Sequence, residues 1–302
     1  MKKLAMRLRD SALVTPLGDQ VKTHWVLAIL VLLLVGIIGL GSVGDAIYNS
    51  LQRVTGLNTL PGQFSELFSF GLSLLFLFLW VRFKEKRSFL SIGIADPAAL
   101  KKFSLGWGVG FLMMLIPSAI LLMHGDYQLQ HAVNQANAVY RYSMVELTGL
   151  LLGIGLVSAL QSGTEEMIMR GYLLQTAAQQ LSPWAAILVP AILFAIVHLS
   201  FDPIVFSNIL LFAVAVSLIS LKQGSIWFAA GMHAGWNMTQ GTILGIPVSG
   251  NSYTFSLLSL LPAADAPVWL TGGDFGVEAS FPATIMLVLT LYLSWRYFFQ
   301  GR

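Results

Sequence analysis

The 302-residue sequence predicts an all-α, polytopic membrane bundle of about eight transmembrane helices, and three observations carry that expectation. Apolar residues make up 56% of the chain and charged residues only 10%, against roughly 25% charged in an ordinary soluble domain. The apolar residues gather in uninterrupted runs of about 18, the length a helix needs to cross a hydrocarbon layer. The basic residues lie between those runs in a one-sided pattern, as the positive-inside rule requires.

Taken in order, the runs cover about 24–41, 64–81, 105–123, 145 to just past 160, 183–199, 204–221, 225–244 and 281–298. With the N-terminus in the cytoplasm, the cytoplasmic segments collect all 17 Lys and Arg residues except Arg53, Arg141 and Arg170. An even number of spans, with both termini cytoplasmic, follows from that asymmetry. The chain divides into a cytoplasmic segment 1–23, a first part 24–140 with three spans, and a part 141–302 that holds the remaining spans and an external loop, 246–280. The basic start followed by a long apolar run reads as a retained first helix, because the run is too long and too far in for a signal peptide. Asp96 and Pro97 read as the N-cap and first turn of a helix start on the cytoplasmic surface. The Gly-, Pro- and Ser-rich stretch 250–280 reads as a solvated connection, with a lid as the alternative. His24 beside Trp25 reads as an interfacial anchor, and His124 and His131, near Asp126, as solvated loop residues. No cysteine is present, which removes disulfides, thiolate metal sites and a Cys nucleophile.

Six polar groups interrupt the apolar second half: Glu165, Glu166, Arg170, His198, His233 and Asn237. A charged side chain at the centre of a membrane helix costs about 2.5 to 3.5 kcal/mol, so the first three facing lipid would cost on the order of 8 to 10 kcal/mol together. They must face the protein interior or a wet cavity, which makes them functional candidates. Glu166 and Arg170 are four apart on one helix face, so an ion pair is available to them. Glu165, rotated by about 100°, is left for water and is the candidate general base. His233 and Asn237 share one face of the seventh span, and His198 comes from the end of the fifth. Singly, each feature also fits a structural role: a buried ion pair, a core histidine, an interhelical hydrogen bond. Six of them on three helical regions point to a site. Intramembrane Glu, His and Arg also build proton relays, but no internal repeat supports an inverted-repeat transporter.

At these residues the sequence resembles the CPBP family of intramembrane proteases, which includes CAAX prenyl proteases and bacteriocin-processing (Abi) proteins. The motif E-E-x-x-x-R is matched by Glu165-Glu166-Met167-Ile168-Met169-Arg170, F-x-x-x-H by Phe194 to His198, and H-x-x-x-N by His233 to Asn237. The resemblance implies an endopeptidase acting on a membrane-associated or C-terminal peptide. Glu165 and His198 would activate the attacking water, His233 and Asn237 would donate to the oxyanion, and Glu166 and Arg170 would orient Glu165 and its helix. No cofactor is required by that mechanism; zinc on Glu165, His198 and His233 is the alternative, although the more specific H-E-x-x-H pattern is absent. The expected partners are a peptide or protein substrate and the lipid bilayer, with no nucleic acid, and the expected location is a cell membrane of bacterial inner-membrane type. A catalytically silent relative that only binds a peptide is the rival reading.

Overall fold

A computed structural model describes residues 2–14, 23–55, 61–130 and 142–300. The architecture is an all-α membrane bundle. A short amphipathic helix, α1 (Lys2–Arg9), precedes the long helical runs α2 (Trp25–Thr55), α3 (Gly62–Lys84), α4 (Ala99–His124) and α5 (Met144–Gln180). Then come α6 (Pro183–Ile196), α7 (Pro203–Gln223), α8 (Trp227–Asn237, continued by a π-helical turn Met238–Ile243), the single turn α9 (Val268–Thr271) and α10 (Phe281–Phe299). The sheet content is one antiparallel pair among the described residues, β1 (Tyr127–Leu129) with β2 (Leu260–Pro262).

Every expected span coincides with a helix. Five of them, α2, α3, α4, α5 and α7, are long and apolar enough to cross a membrane by themselves. α6 is shorter, and α8 and α10 are interrupted by glycine, histidine or aromatic and basic residues that dilute their apolarity. The apolar stretch of α7 is 61% buried and sits at the centre, whereas those of α2 and α3 are 22% buried and form the wall. Leu34, Leu75, Leu112, Leu156 and Leu289 point outward, as lipid-facing side chains do.

Local chemistry sets the helix limits. Ser143 and Glu146 form a reciprocal capping box at the start of α5. Asp202 caps α7 through the N–H groups of Ile204 (2.8 Å) and Val205 (3.1 Å), with Pro203 at the first helical position. Several expectations are corrected. α2 continues to Thr55, well past Gly41, because its outer part is amphipathic and its polar face escapes a hydropathy reading. α4 begins at Ala99 with Ala98 as its N-cap; Asp96 stands one turn earlier, accepting from the Ala98 N–H and from Lys102. Burial raises the Asp96 pKa, but hydrogen bonds from Lys102, Ser225 and the Ala98 N–H outweigh it and hold the carboxyl below its usual range. Glu85 and Arg87 are buried at the end of the bundle rather than solvated: Tyr172 donates to Glu85 (2.8 Å) and Arg87 to Gln175 (2.9 Å). His24 caps α2 through the Val26 N–H. His124 contacts the buried Asp126 at 2.6 Å, and His131 lies outside the described residues.

The closest helix approach is between α4 and α8. A Cβ on Gly106 would lie 2.1 Å from the carbonyl oxygen of Phe228, and one on Gly110 would lie 1.9 Å from that of Met232. From the other side, a Cβ on Gly231 would lie 2.0 Å from Phe103 O and one on Gly235 2.2 Å from Trp107 O. Two small-xxx-small faces thus lock together, the arrangement that lets membrane helices pack backbone to backbone. This contact fixes the position of the helix that carries His233 and Asn237.

Candidate active site

Glu165 and Glu166 sit two-thirds of the way along α5, where the helix leaves regular α geometry for a π-helical stretch, Met167–Leu173. Asn237 is the last residue of α8 before its own π turn. Widened turns of this kind recur at functional sites because they re-aim side chains without ending the helix. His198 lies just beyond α6, in a turn where Leu199 adopts φ 54°.

Glu165, His198, His233 and Asn237, taken from α5, α8 and the α6–α7 turn, all line one cavity of about 430 Å³. Glu166 and Arg170 do not line it. They stand behind the wall, fully buried, with Arg170 Nη1 donating to Glu166 Oε1 at 3.0 Å and the guanidinium 4.6 Å from the Phe194 ring centroid. Glu166 Oε1 has a second partner, His233 Nδ1, at 3.1 Å. Glu166 therefore bridges Arg170 to His233 rather than serving Arg170 alone. With Nδ1 so engaged, His233 turns Nε2 toward Glu165 Oε2, 3.8 Å away. His198 is oriented in the same way, its Nδ1 2.6 Å from the Phe194 carbonyl, which leaves Nε2 for the cavity.

The remaining Glu165 oxygen is held by a residue the sequence did not single out. Gln161 Nε2 donates to Glu165 Oε1 at 2.9 Å, while Gln161 Oε1 accepts from Asn237 Nδ2 at 3.0 Å and from the Ser162 hydroxyl at 2.8 Å. Because the carbonyl oxygen is taken by two donors, the amide nitrogen must face the carboxylate.

Three further cavity residues were missed. Glu66, in the first turn of α3, accepts from the Tyr253 hydroxyl. The cost argument applied to Glu165 would have found it, since it too is an acid at a span. Tyr253 and Glu278 belong to the external loop and carry no sequence signal. Glu278 accepts from Trp236 Nε1 (3.3 Å) and from the Ser249 N–H and hydroxyl, and burial raises its pKa. Its backbone carbonyl is gripped by Asn208 on α7 at 2.9 Å. The loop 246–280 is thus no solvated connection: Val248, Ser249, Asn251, Tyr253 and Glu278 form part of the cavity wall. Its apolar Phe255, 1% exposed, and the β1–β2 pairing anchor it.

Among the described residues, no three His, Asp or Glu side chains are grouped as the ligands of a metal ion. Glu165, His198 and His233 share the cavity, and Nδ1 of each histidine is held by a protein acceptor, which orients its Nε2.

Fold and site together define a multi-pass membrane protein with a polar Glu/His/Asn cavity inside its helical bundle. Residues 147–239 match the family model described as type II CAAX prenyl endopeptidase, Rce1-like, and over this segment the chain is similar to the CPBP/CAAX proteases. The matched segment begins in the second turn of α5 and runs two residues past Asn237, so it contains the three motifs but neither Glu66 nor the loop. No curated protein and no solved structure matches the chain.

Proposed function

We propose that the chain is an intramembrane endopeptidase that hydrolyses a peptide bond in a membrane-associated or C-terminal peptide, with water activated by Glu165 and His198. The observation that carries this reading is the convergence of Glu165, His198, His233 and Asn237 on one cavity, with Glu166 and Arg170 buried behind it. Glu165 takes a proton from water as the water oxygen bonds to the scissile carbonyl carbon. His198 Nε2 orients that water. The carbonyl oxygen becomes an oxyanion and accepts hydrogen bonds from Asn237 Nδ2, which has a second N–H beyond the one given to Gln161, and from His233 Nε2. A ring flanked by two carboxylates can carry hydrogen on both nitrogens, so His233 can donate at Nε2 while Nδ1 stays on Glu166. When the C–N bond breaks, the proton held by Glu165 passes to the leaving nitrogen, giving a carboxylic acid and an amine. No side chain in this scheme forms a covalent intermediate, in keeping with the absence of cysteine and of a G-x-S-x-G elbow.

The test uses purified full-length protein in detergent and internally quenched peptides, one ending in a farnesylated CAAX sequence and others unprenylated and apolar. Asn237→Ala should lower kcat by about 10²- to 10³-fold with little change in KM, the usual effect of losing one oxyanion donor. Activity should survive chelation, and purified protein should carry no stoichiometric zinc. Normal kcat with raised KM in Asn237→Ala would remove the oxyanion role, and zinc lost together with activity in His233→Ala would replace the scheme with a metal-based one.

A further inference from the structure

Glu66 takes no part in the hydrolysis scheme, yet it is an acid within a membrane-crossing helix and it lines the cavity. A carboxyl group at such a position needs a partner. The Tyr253 hydroxyl donates to its Oε1, and no donor among the described residues reaches Oε2, which stays in contact with the space of the cavity. The other two carboxylates of the lining are provided for. Glu165 is held by Gln161 and faces His233 Nε2, while Glu278 receives three donors, Trp236 Nε1 and the Ser249 N–H and hydroxyl. No lysine or arginine among the described residues lines the cavity, and the Arg170 guanidinium behind its wall is paired with Glu166. Glu66 alone has a neutral partner on one oxygen and an unfilled second oxygen.

The neighbours of Glu66 give this part of the cavity the form of a side-chain subsite. Phe70 follows one turn later on the same face of α3 and lines the same cavity. Ile37 joins that wall from α2, which the Ser73 hydroxyl ties to α3 through the Gly36 carbonyl (2.6 Å). The result is an apolar wall with a carboxyl group at its end. A lysine or arginine side chain has the matching order of groups, an apolar stem and then a charged head. Its head would meet Oε2 in a charge-assisted hydrogen bond while Tyr253 holds Oε1 in place.

We propose that Glu66 is a specificity-determining residue that accepts the cationic head of a substrate lysine or arginine close to the scissile bond, with Phe70 and Ile37 along its stem. The substrate class is then a peptide with a basic residue near the bond that is cleaved. This rests on the endopeptidase reading given above.

The experiment uses purified full-length protein in detergent and N-terminally acetylated, internally quenched peptides. They differ at one position, lysine against its uncharged counterpart norleucine, scanned along both sides of the cleaved bond. At one position wild type should prefer lysine in kcat/KM by about tenfold or more, chiefly through KM, as the loss of one hydrogen bond to a charged group implies. Glu66→Gln keeps an acceptor for Tyr253 but removes the charge, and it should abolish that preference. Tyr253→Phe removes the loop contact but keeps the carboxyl group, and it should retain the preference. Three results would each overturn the inference and leave the endopeptidase reading intact: no preference at any position in wild type, a preference that persists in Glu66→Gln, or its equal loss in Tyr253→Phe. Binding is measured apart from turnover, by fluorescence anisotropy of the lysine peptide on Glu165→Gln and on the Glu165→Gln/Glu66→Gln double variant. The single variant should bind it about tenfold more tightly, and equal affinities overturn the inference. If wild type cleaves no faster than Glu165→Gln while this binding difference holds, the endopeptidase reading fails and cation recognition by Glu66 stands.

Discussion

Glu165 and Glu166 are adjacent in sequence, yet their surroundings give them different work. Glu166 is fully buried between Arg170 and His233, and its substitution by Gln leaves an arginine in the core without a counter-charge, a change that costs about 3 to 5 kcal/mol. Glu166→Gln should therefore lower the amount of folded protein in the membrane, measured by size-exclusion profile and thermal unfolding in detergent. Glu165→Gln should leave both near wild type while abolishing hydrolysis. Equal loss of folded protein in the two variants would show that the pair is a structural unit. Gln161 deserves a matching test, because it joins Glu165 to Asn237 through one amide. Gln161→Met should reduce kcat by about tenfold or more with KM nearly unchanged, and adding it to Asn237→Ala should cost much less than the product of the single effects, as for residues that act together. Multiplicative effects would mean that Gln161 only packs. Glu165, Glu166 and Arg170 were legible in the sequence because a charge inside a membrane needs a reason, the same reason that applies to the overlooked Glu66. Gln161 was not, since a neutral amide near the end of an apolar run carries a far smaller penalty and so no comparable signal.

Between elements, the glycine faces of α4 and α8 do for the bundle what a hydrophobic seam does in water. Lipid is as apolar as leucine, so close backbone contact supplies the attraction that burial cannot. Gly110 and Gly108 make a sharp comparison, being two residues apart on one helix: a Cβ at Gly110 would fall 1.9 Å from a backbone carbonyl, whereas one at Gly108 meets nothing within 4 Å. Gly110→Ala should destabilise the protein by about 1 to 3 kcal/mol or more, the cost of overpacking against an atom that cannot rotate away. Gly108→Ala should stay within about 0.5 kcal/mol of wild type. Thermal unfolding of the two variants in the same detergent checks this, and similar midpoints would mean that α4 and α8 are not in backbone contact. The existence of each helix was legible from apolar runs, but their mutual packing was not. Gly106, Gly110, Gly231 and Gly235 have the right spacing, yet spacing alone does not say which helix each glycine faces. The loop 246–280 was misread for a related reason. Its Gly, Pro and Ser content reports turns, while the contacts that dock it, Tyr253 on Glu66 and Asn208 on the Glu278 carbonyl, join residues far apart in the chain.

At the scale of the whole molecule, the number of crossings decides which side each loop occupies. Among the described residues five helices are long and apolar enough to cross unaided, and five crossings would put the two termini on opposite sides of the membrane. The packing fits an even number, as the eight expected spans require. Arg7 reaches the Phe299 carbonyl and Lys3 lies over the Phe299 ring, so α1 and the end of α10 share one end of the bundle. Along the chain, α6, α8 and α10 then each traverse the bundle between ends, α8 inside the protein where full apolarity is not required, α6 with Leu188, Ile192 and Ile196 exposed and α10 with Ile285, Val288, Leu289 and Leu293 exposed. The distribution of Lys and Arg predicts that the shared end lies in the cytoplasm. Reporter fusions after Arg87, after Lys222 and after Gln300 should therefore all report cytoplasm, and a fusion after Gln130 should report the outside. The fusion after Gln300 is the discriminating one. A chain with only the five self-sufficient crossings places it opposite the N-terminus, and an external signal there, or a cytoplasmic one after Gln130, would require α6, α8 or α10 to dip into the membrane and return without crossing it.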